Sequence, residues 1–136
     1  MISTKTQIRI RYADTDQMKV VYYAKYFEYF EQSRSDLLRS IKIPYSEIEK
    51  KGILLPVVEA FAKYISSAKF DDLIEVESTL SEIQNTKIKI NYKILKLENS
   101  NLITTGYTVH CFLDSITKKI IRVPQFFLET LSQNVF

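Results

Sequence analysis

From Tyr22 to Ile41, apolar residues return every three or four positions: Tyr23, Tyr26, Phe27, Phe30, Leu37, Leu38 and Ile41. That spacing predicts a helix. Tyr22 and Tyr29 widen its apolar face beyond a single stripe, while Lys25, Glu28, Gln32, Asp36 and Arg39 keep one narrow polar side. A helix apolar over most of its girth must be wrapped by other structure, such as a curved sheet. Pro44 ends this helix, or starts a short second one through Ser46–Lys51 that Gly52 closes.

The rest of the chain reads as strands that supply such a sheet. Thr6 to Tyr12 alternates, with Ile8, Ile10 and Tyr12 opposite Gln7, Arg9 and Arg11, the period of a half-buried strand. Ile53 to Ile65 is apolar and rich in β-branched residues. Leu73 to Ile83 alternates, turns at Gln84-Asn85, and alternates again from Thr86 to Leu97 with a phase slip at Ile94-Leu95 that suggests a bulge. Leu102 to Leu113 is a long strand and Lys119 to Val123 a short one; Gln125 to Gln133 reads as a terminal helical turn. The order is strand, long buried helix, then four or five antiparallel strands: an α+β architecture with one sheet face packed on one helix. The 136 residues fit a single domain over 1–136 with one core.

Composition excludes several kinds of chemistry. Cys111 is the only cysteine, so an intrachain disulfide and a thiolate metal cluster are ruled out. His110 is the only histidine, so one chain cannot build a multi-histidine metal site, and any Ser-His-Asp triad would have to use it. His110 and Cys111 are strand neighbours pointing to opposite faces, which prevents a side-by-side nucleophile–base pair. The net charge of +3 is dispersed rather than concentrated in one patch, against a nucleic-acid binder. With two glycines, the chain has no Gly-rich phosphate loop. No run approaches a membrane span, and Met1 to Arg11 lacks the apolar stretch of a signal peptide, so a cytoplasmic location is expected.

The chemistry concentrates just ahead of the helix, in Arg11-Tyr12-Ala13-Asp14-Thr15-Asp16-Gln17-Met18-Lys19-Val20-Val21-Tyr22-Tyr23. Asp-x-Asp before a helix sets carboxylates beside free backbone N–H donors and the positive end of the helix dipole. Such residues are ordinary helix caps. An acid beside unpaired N–H groups is also half of an acyl-transfer site.

Arg11 to Asp16, Val20-Val21-Tyr22, Tyr26, Glu31-Gln32-Ser33-Arg34, Pro56-Val57-Val58 and Phe70 to Val76 together resemble the hotdog-fold acyl-CoA thioesterases, in the 4-hydroxybenzoyl-CoA thioesterase/YbgC-like branch. The likeness covers nearly the whole chain. It implies the hotdog fold, an antiparallel β-sheet wrapped around one long central α-helix. It also implies hydrolysis of a fatty or aromatic acyl-CoA thioester to free acid and CoA, without metal or cofactor. By resemblance Asp16 is the catalytic carboxylate, acting as nucleophile or as the base that activates water. Asp14 matches a position of loop structure. The backbone N–H of Tyr23 is the oxyanion donor, where the family's helix begins.

The resemblance further implies pairing of two copies into one continuous sheet, as a homodimer or a dimer of dimers (homotetramer). The active site then lies at the subunit interface, completed by Gly52–Ser67 of the second copy. Expected substrate-binding residues are Tyr22, Tyr26, Phe61, Tyr64, Ser66, Ser67 and Lys69, the tyrosines and Phe61 toward an acyl tunnel and Lys69 toward the CoA phosphates. Two departures stand out: many relatives have Gly where this chain has Lys19, and many have His where Tyr23 stands. These keep open an alternative on the same fold, a non-catalytic acyl-thioester-binding or scaffold protein. A hotdog dehydratase is disfavoured, because its helix carries a histidine and this helix has none.

Overall fold

The computed structural model describes residues 2–134. Its elements, in chain order, are β1 (Ile2–Arg9), a 3-10 turn (Tyr12–Asp14), α1 (Lys25–Ser40), α2 (Tyr45–Lys50), β2 (Ile53–Leu54), β3 (Val57–Tyr64), β4 (Leu73–Ile83), β5 (Lys87–Lys96), β6 (Leu102–Asp114), β7 (Ile120–Ile121) and α3 (Gln125–Asn134). Seven strands among the described residues form one antiparallel sheet, with the path β1-β4-β5-β6 and then β2; β3 and β7 also pair with β6. The α+β arrangement expected from the apolar helix is therefore present: the sheet curls around α1.

The packing shows why. Tyr26, Tyr29, Phe30, Leu37 and Leu38 of α1 are buried against Ile74 and Val76 of β4, Ile90 and Ile94 of β5 and Ile103 of β6. Burying each such side chain stabilises the fold by roughly 1.5–3 kcal/mol. Helix and sheet approach closely over Gly106, which pairs with Tyr92 of β5 and Ala62 of β3. Phe30 stacks on Tyr92 with ring centroids 4.4 Å apart. A Cβ on Gly106 would lie 2.8 Å from the Phe30 ring and 2.3 Å from the Phe61 carbonyl oxygen. Only a residue without a side chain lets helix and sheet meet here.

A second, polar seam also binds helix to sheet. Ser33 Oγ donates to Ser78 Oγ at 2.9 Å. Buried Arg34 donates from Nε to Tyr45 Oη at 2.7 Å and from Nη1 to Tyr92 Oη at 3.0 Å. Tyr92 Oη shares a hydrogen bond with Thr108 Oγ1 at 2.7 Å, Thr108 Oγ1 with His110 Nε2 at 2.8 Å, and His110 Nδ1 meets the Leu55 carbonyl at 3.3 Å. His110 is thus a fully buried structural residue. Burial, and then the Arg34 charge, lower its pKa from 6.5 to about 4, so it is neutral at pH 7.

Several boundaries differ from the sequence pattern. The first strand ends at Arg9 rather than Tyr12. Beyond it, Ile10 bonds with Asp71 and Asp72 instead of continuing along β4, and the Arg11 N–H turns to the Asp14 carboxylate. Tyr12 therefore sits exposed in the 3-10 turn. The regular helix begins at Lys25 rather than Tyr22; ahead of it the chain makes a turn closed by the Lys25 N–H on the Tyr22 carbonyl, while the Tyr22 N–H is on the Asp14 carbonyl. The apolar run Ile53–Ile65 divides into β2 and β3 around Leu55-Pro56, where proline lacks a ladder donor. The bulge at Ile94-Leu95 is present as a register shift between β5 and β6, and the Leu73–Ile83 strand matches β4. No helix among the described residues is long and apolar enough to cross a membrane.

Candidate active site

The segment from Asp14 to Tyr23 folds back on itself as a short antiparallel loop. Thr15 and Val21 form a bridge, the Asp16 N–H donates to the Val20 carbonyl at 2.9 Å, and the Tyr22 N–H to the Asp14 carbonyl at 2.9 Å. A second tie fixes the loop to the β3–β4 connection: the Val21 N–H donates to the carbonyl of Ala68, which is fully buried. Asp16 and the start of the helix are therefore held by one framework, even though the residues lie on a loop.

The two acids of this loop differ sharply. Asp14 is buried, and its carboxylate accepts hydrogen bonds from the Arg11 guanidinium at 3.0 Å and from Tyr29 Oη at 2.9 Å. Burial alone pushes its pKa up. The hydrogen bonds from Arg11 and Tyr29 outweigh that, and the net shift is downward. Tyr29 is pushed up by burial and by the same contact. Asp14 is a fixed anion anchoring the loop to α1, with no acid–base freedom. Asp16 is only half-buried. One of its oxygens accepts the Met18 N–H at 2.8 Å, the geometry of a local Asx turn. The other has no partner among the described residues, so Asp16 is the acid of this pair with a free oxygen to offer a reactant.

Lys19 closes the turn after Asp16, with its N–H on the Asp16 carbonyl at 2.9 Å and φ at 66°. That left-handed conformation suits glycine and costs other residues roughly 1–2 kcal/mol. Lysine at this position is therefore a local strain at the base of the Asp16 loop.

The helix mouth supplies donors. Tyr23 and Ala24 precede the first regular turn, and their N–H groups have no acceptor among the described residues. On either side the backbone is pinned: the Lys25 N–H donates to the Tyr22 carbonyl at 2.8 Å, and Tyr64 Oη donates to the Tyr23 carbonyl at 3.0 Å. An unpaired N–H at a helix N-terminus can polarise a carbonyl, and a carboxylate with a free oxygen can attack one or activate water.

The aromatic residues expected around this point divide into two groups. Tyr22, Tyr23, Tyr26 and Tyr64 come together: Tyr22 and Tyr23 lie 4.7 Å apart between ring centroids, Tyr23 and Tyr64 6.2 Å, and Tyr26 and Tyr64 5.6 Å. Tyr26 is buried and its hydroxyl accepts the Ala68 N–H at 3.4 Å, whereas Tyr22, Tyr23 and Tyr64 are exposed. Phe61 is separate. Its ring stacks on Tyr107, 5.4 Å away. Tyr107 alternates with Gly106 and Thr108, which face α1, so Phe61 points to the opposite face of the sheet.

The polar candidates are also spread out. Ser66 Oγ donates to the Leu102 carbonyl at 2.7 Å and is occupied in the β6 edge. Ser67 is exposed without a partner among the described residues. Lys69 is exposed, its N–H held by Asp72 at 2.9 Å and its ammonium unpaired among the described residues. No cluster of three or more His, Cys, Asp or Glu side chains suited to a metal ion forms among the described residues.

The Arg34–Tyr92–Thr108–His110 network was missed as a functional or structural unit from sequence. Its signal was present: Arg34 lies four residues after Phe30 and three before Leu37, on the apolar helix face where a charge needs partners.

Comparison with known proteins bears on family and fold. A family model described as the thioesterase-like superfamily matches residues 10–131. A putative esterase of Aquifex aeolicus is 29% identical over 123 residues, covering 90% of this chain and 93% of its own length. The acyl-CoA thioester hydrolase YbgC of Escherichia coli is 25% identical over 118 residues, 87% of each chain. Among solved structures, a DHNA-CoA thioesterase from Staphylococcus aureus superposes with a TM-score of 0.91 at 30% identity, over 98% of this chain and 91% of that one. A match over residues 10–131, on a sheet curled around a central helix, means that the chain belongs to the thioesterase-like superfamily and has the hotdog fold.

Proposed function

We propose that this protein is an acyl-CoA thioesterase that hydrolyses a fatty or aromatic acyl-CoA thioester to free acid and CoA. The observation that carries the reading is that one loop, closed by the Thr15–Val21 bridge, holds both Asp16, with one carboxylate oxygen free, and the lead into α1, where the Tyr23 N–H is unpaired among the described residues. The thioester oxygen sits on the Tyr23 N–H, which stabilises the oxyanion as it forms; one such donor is typically worth about 10²–10³ in rate. Asp16 either takes a proton from the water that attacks the carbonyl carbon, or attacks it itself to form an acyl anhydride that water then cleaves to the free acid and the Asp16 carboxylate. The CoA thiolate leaves in either route, and because it is a good leaving group the site needs no strong general acid. Tyr22, Tyr26 and Tyr64 border the acyl group, with Ser67 and Lys69 as outer contributors; Phe61, on the other face of the sheet, and Ser66, held by the Leu102 carbonyl, take no part. Neither metal nor organic cofactor enters this scheme, and the cytoplasm is the expected compartment.

The protein works as a dimer or dimer of dimers. Support comes from β3, which pairs with β6 on one side and has no strand on the other among the described residues. Val57, Val58, Phe61, Tyr64 and Ile65 are all exposed on and just after this strand. A bare apolar strand edge is an association surface. A second copy joined there brings its own Gly52–Ser67 segment to the site.

A second reading, an acyl-thioester-binding scaffold without hydrolysis, is favoured by one feature: the strained Lys19 and the Asx turn both engage the Asp16 loop. Thiol release from a panel of short, long and aromatic acyl-CoAs separates the two. Hydrolysis lost in Asp16→Asn supports the thioesterase; binding of acyl-CoA with no release by wild type supports the scaffold.

A further inference from the structure

The Tyr23 carbonyl lies one residue outside the helix ladder. Its natural donor four residues on, the Phe27 N–H, bonds to the Ala24 carbonyl instead, at 3.2 Å. The sole partner of the Tyr23 carbonyl among the described residues is Tyr64 Oη, at 3.0 Å. This bond spans 41 positions of sequence and joins the end of β3 to the helix mouth. The Tyr64 ring is itself braced. It meets Tyr23 edge-on at 6.2 Å and leans on Tyr26 at 5.6 Å, and Tyr26 is anchored by the Ala68 N–H.

Each peptide unit is planar, with its C=O and N–H pointing in opposite directions. Fixing the Tyr23 carbonyl therefore fixes the Ala24 N–H on its far side and restrains the Tyr23 N–H through the shared Cα. The Lys25 N–H on the Tyr22 carbonyl holds the preceding peptide in the same way.

We infer that Tyr64 is a positioning residue: its hydroxyl sets the plane of the Tyr23–Ala24 peptide, and with it the aim of the free Ala24 N–H, next to the Tyr23 N–H that the Lys25–Tyr22 bond aims. This assignment rests on the reading of Tyr23 as the oxyanion donor. It gives Tyr64 a role through its hydroxyl in addition to its ring's place beside the acyl group. Oxyanion donors act through alignment prepared before the reaction, so a small loss of aim costs rate rather than affinity.

Tyr64→Phe removes the hydroxyl and keeps the ring. Two measurements on the full chain test it. Steady-state thiol release from benzoyl-CoA and acetyl-CoA should show kcat about 10-fold lower with KM within about twofold of wild type, at an unchanged melting temperature. An unchanged kcat, or a raised KM with kcat intact, overturns the assignment. Backbone ¹⁵N relaxation should show the Ala24 amide order parameter falling from the rigid range near 0.85 toward about 0.6. An Ala24 amide as rigid in the variant as in wild type overturns it as well. Should wild type release no thiol from any thioester, the functional reading fails, and the relaxation experiment still decides whether Tyr64 orients this peptide.

Discussion

Gly106→Ala measures how tightly helix and sheet meet. The added methyl would stand 2.3 Å from the Phe61 carbonyl oxygen and 2.8 and 2.9 Å from two Phe30 ring carbons. Ordinary carbon contacts are about 3.5–4.0 Å, so β3 or Phe30 must retreat by roughly an ångström. Neither moves freely. The oxygen is backbone in a paired strand, and Phe30 is fully buried and stacked on Tyr92. Overpacking of this kind typically costs 1–3 kcal/mol, and with backbone on one side we expect about 3 kcal/mol. For a chain of 136 residues that corresponds to a fall of about 10 °C in Tm. Gly52→Ala is the control. Gly52 has φ +74°, but apart from its two adjacent residues the nearest atom to an added Cβ is Ser115 Oγ at 3.7 Å, so the cost is conformational only, about 1 kcal/mol. Urea unfolding followed by circular dichroism, at one protein concentration, compares the two. Gly106→Ala costing no more than Gly52→Ala would refute the close-approach argument.

Other perturbations probe other parts of the account. His110 is neutral in the fold and protonates only near pH 4, whereas the unfolded chain takes up the proton near 6.5. The unfolded state therefore binds more protons between these values, and stability should fall by up to about 3 kcal/mol as pH drops from 6.5 to 4. Urea midpoints across that interval should decline in wild type and flatten in His110→Gln; equal slopes would remove His110 as the cause. Lys19→Gly relieves a left-handed residue but adds freedom to the unfolded chain, for a net gain of about 0.5 kcal/mol in urea unfolding. A loss of stability would mean that the lysine side chain makes up for its backbone strain.

The parts of the fold legible in sequence are those with one wet and one dry face. Leu73–Ile83 alternates because β4 faces α1 on one side and solvent on the other, and its bounds could be read directly. The slip at Ile94-Leu95 showed for the same reason. β3 resisted such reading: Val57, Val58, Phe61, Tyr64 and Ile65 are apolar in either phase, so nothing in the pattern said that Phe61 faces away from α1. The end of β1 was hidden because Tyr12 continues the alternation of Ile8 and Ile10, while the chain turns to satisfy the Asp14 carboxylate. In the site, the contrast between Asp14 and Asp16 could be expected from the family motif. The Tyr64 hydroxyl on the Tyr23 carbonyl could not, since no local pattern joins residues so far apart in sequence.

The central claim is that Asp16 does the chemistry at the helix mouth, and one comparison tests it most directly. Thiol release is followed with benzoyl-CoA, acetyl-CoA and a long-chain acyl-CoA, for wild type and Asp16→Asn at matched concentration. The account predicts hydrolysis of at least one thioester by wild type, and a loss of at least about 10² in kcat in a folded Asp16→Asn protein. Equal hydrolysis by the two proteins would contradict it.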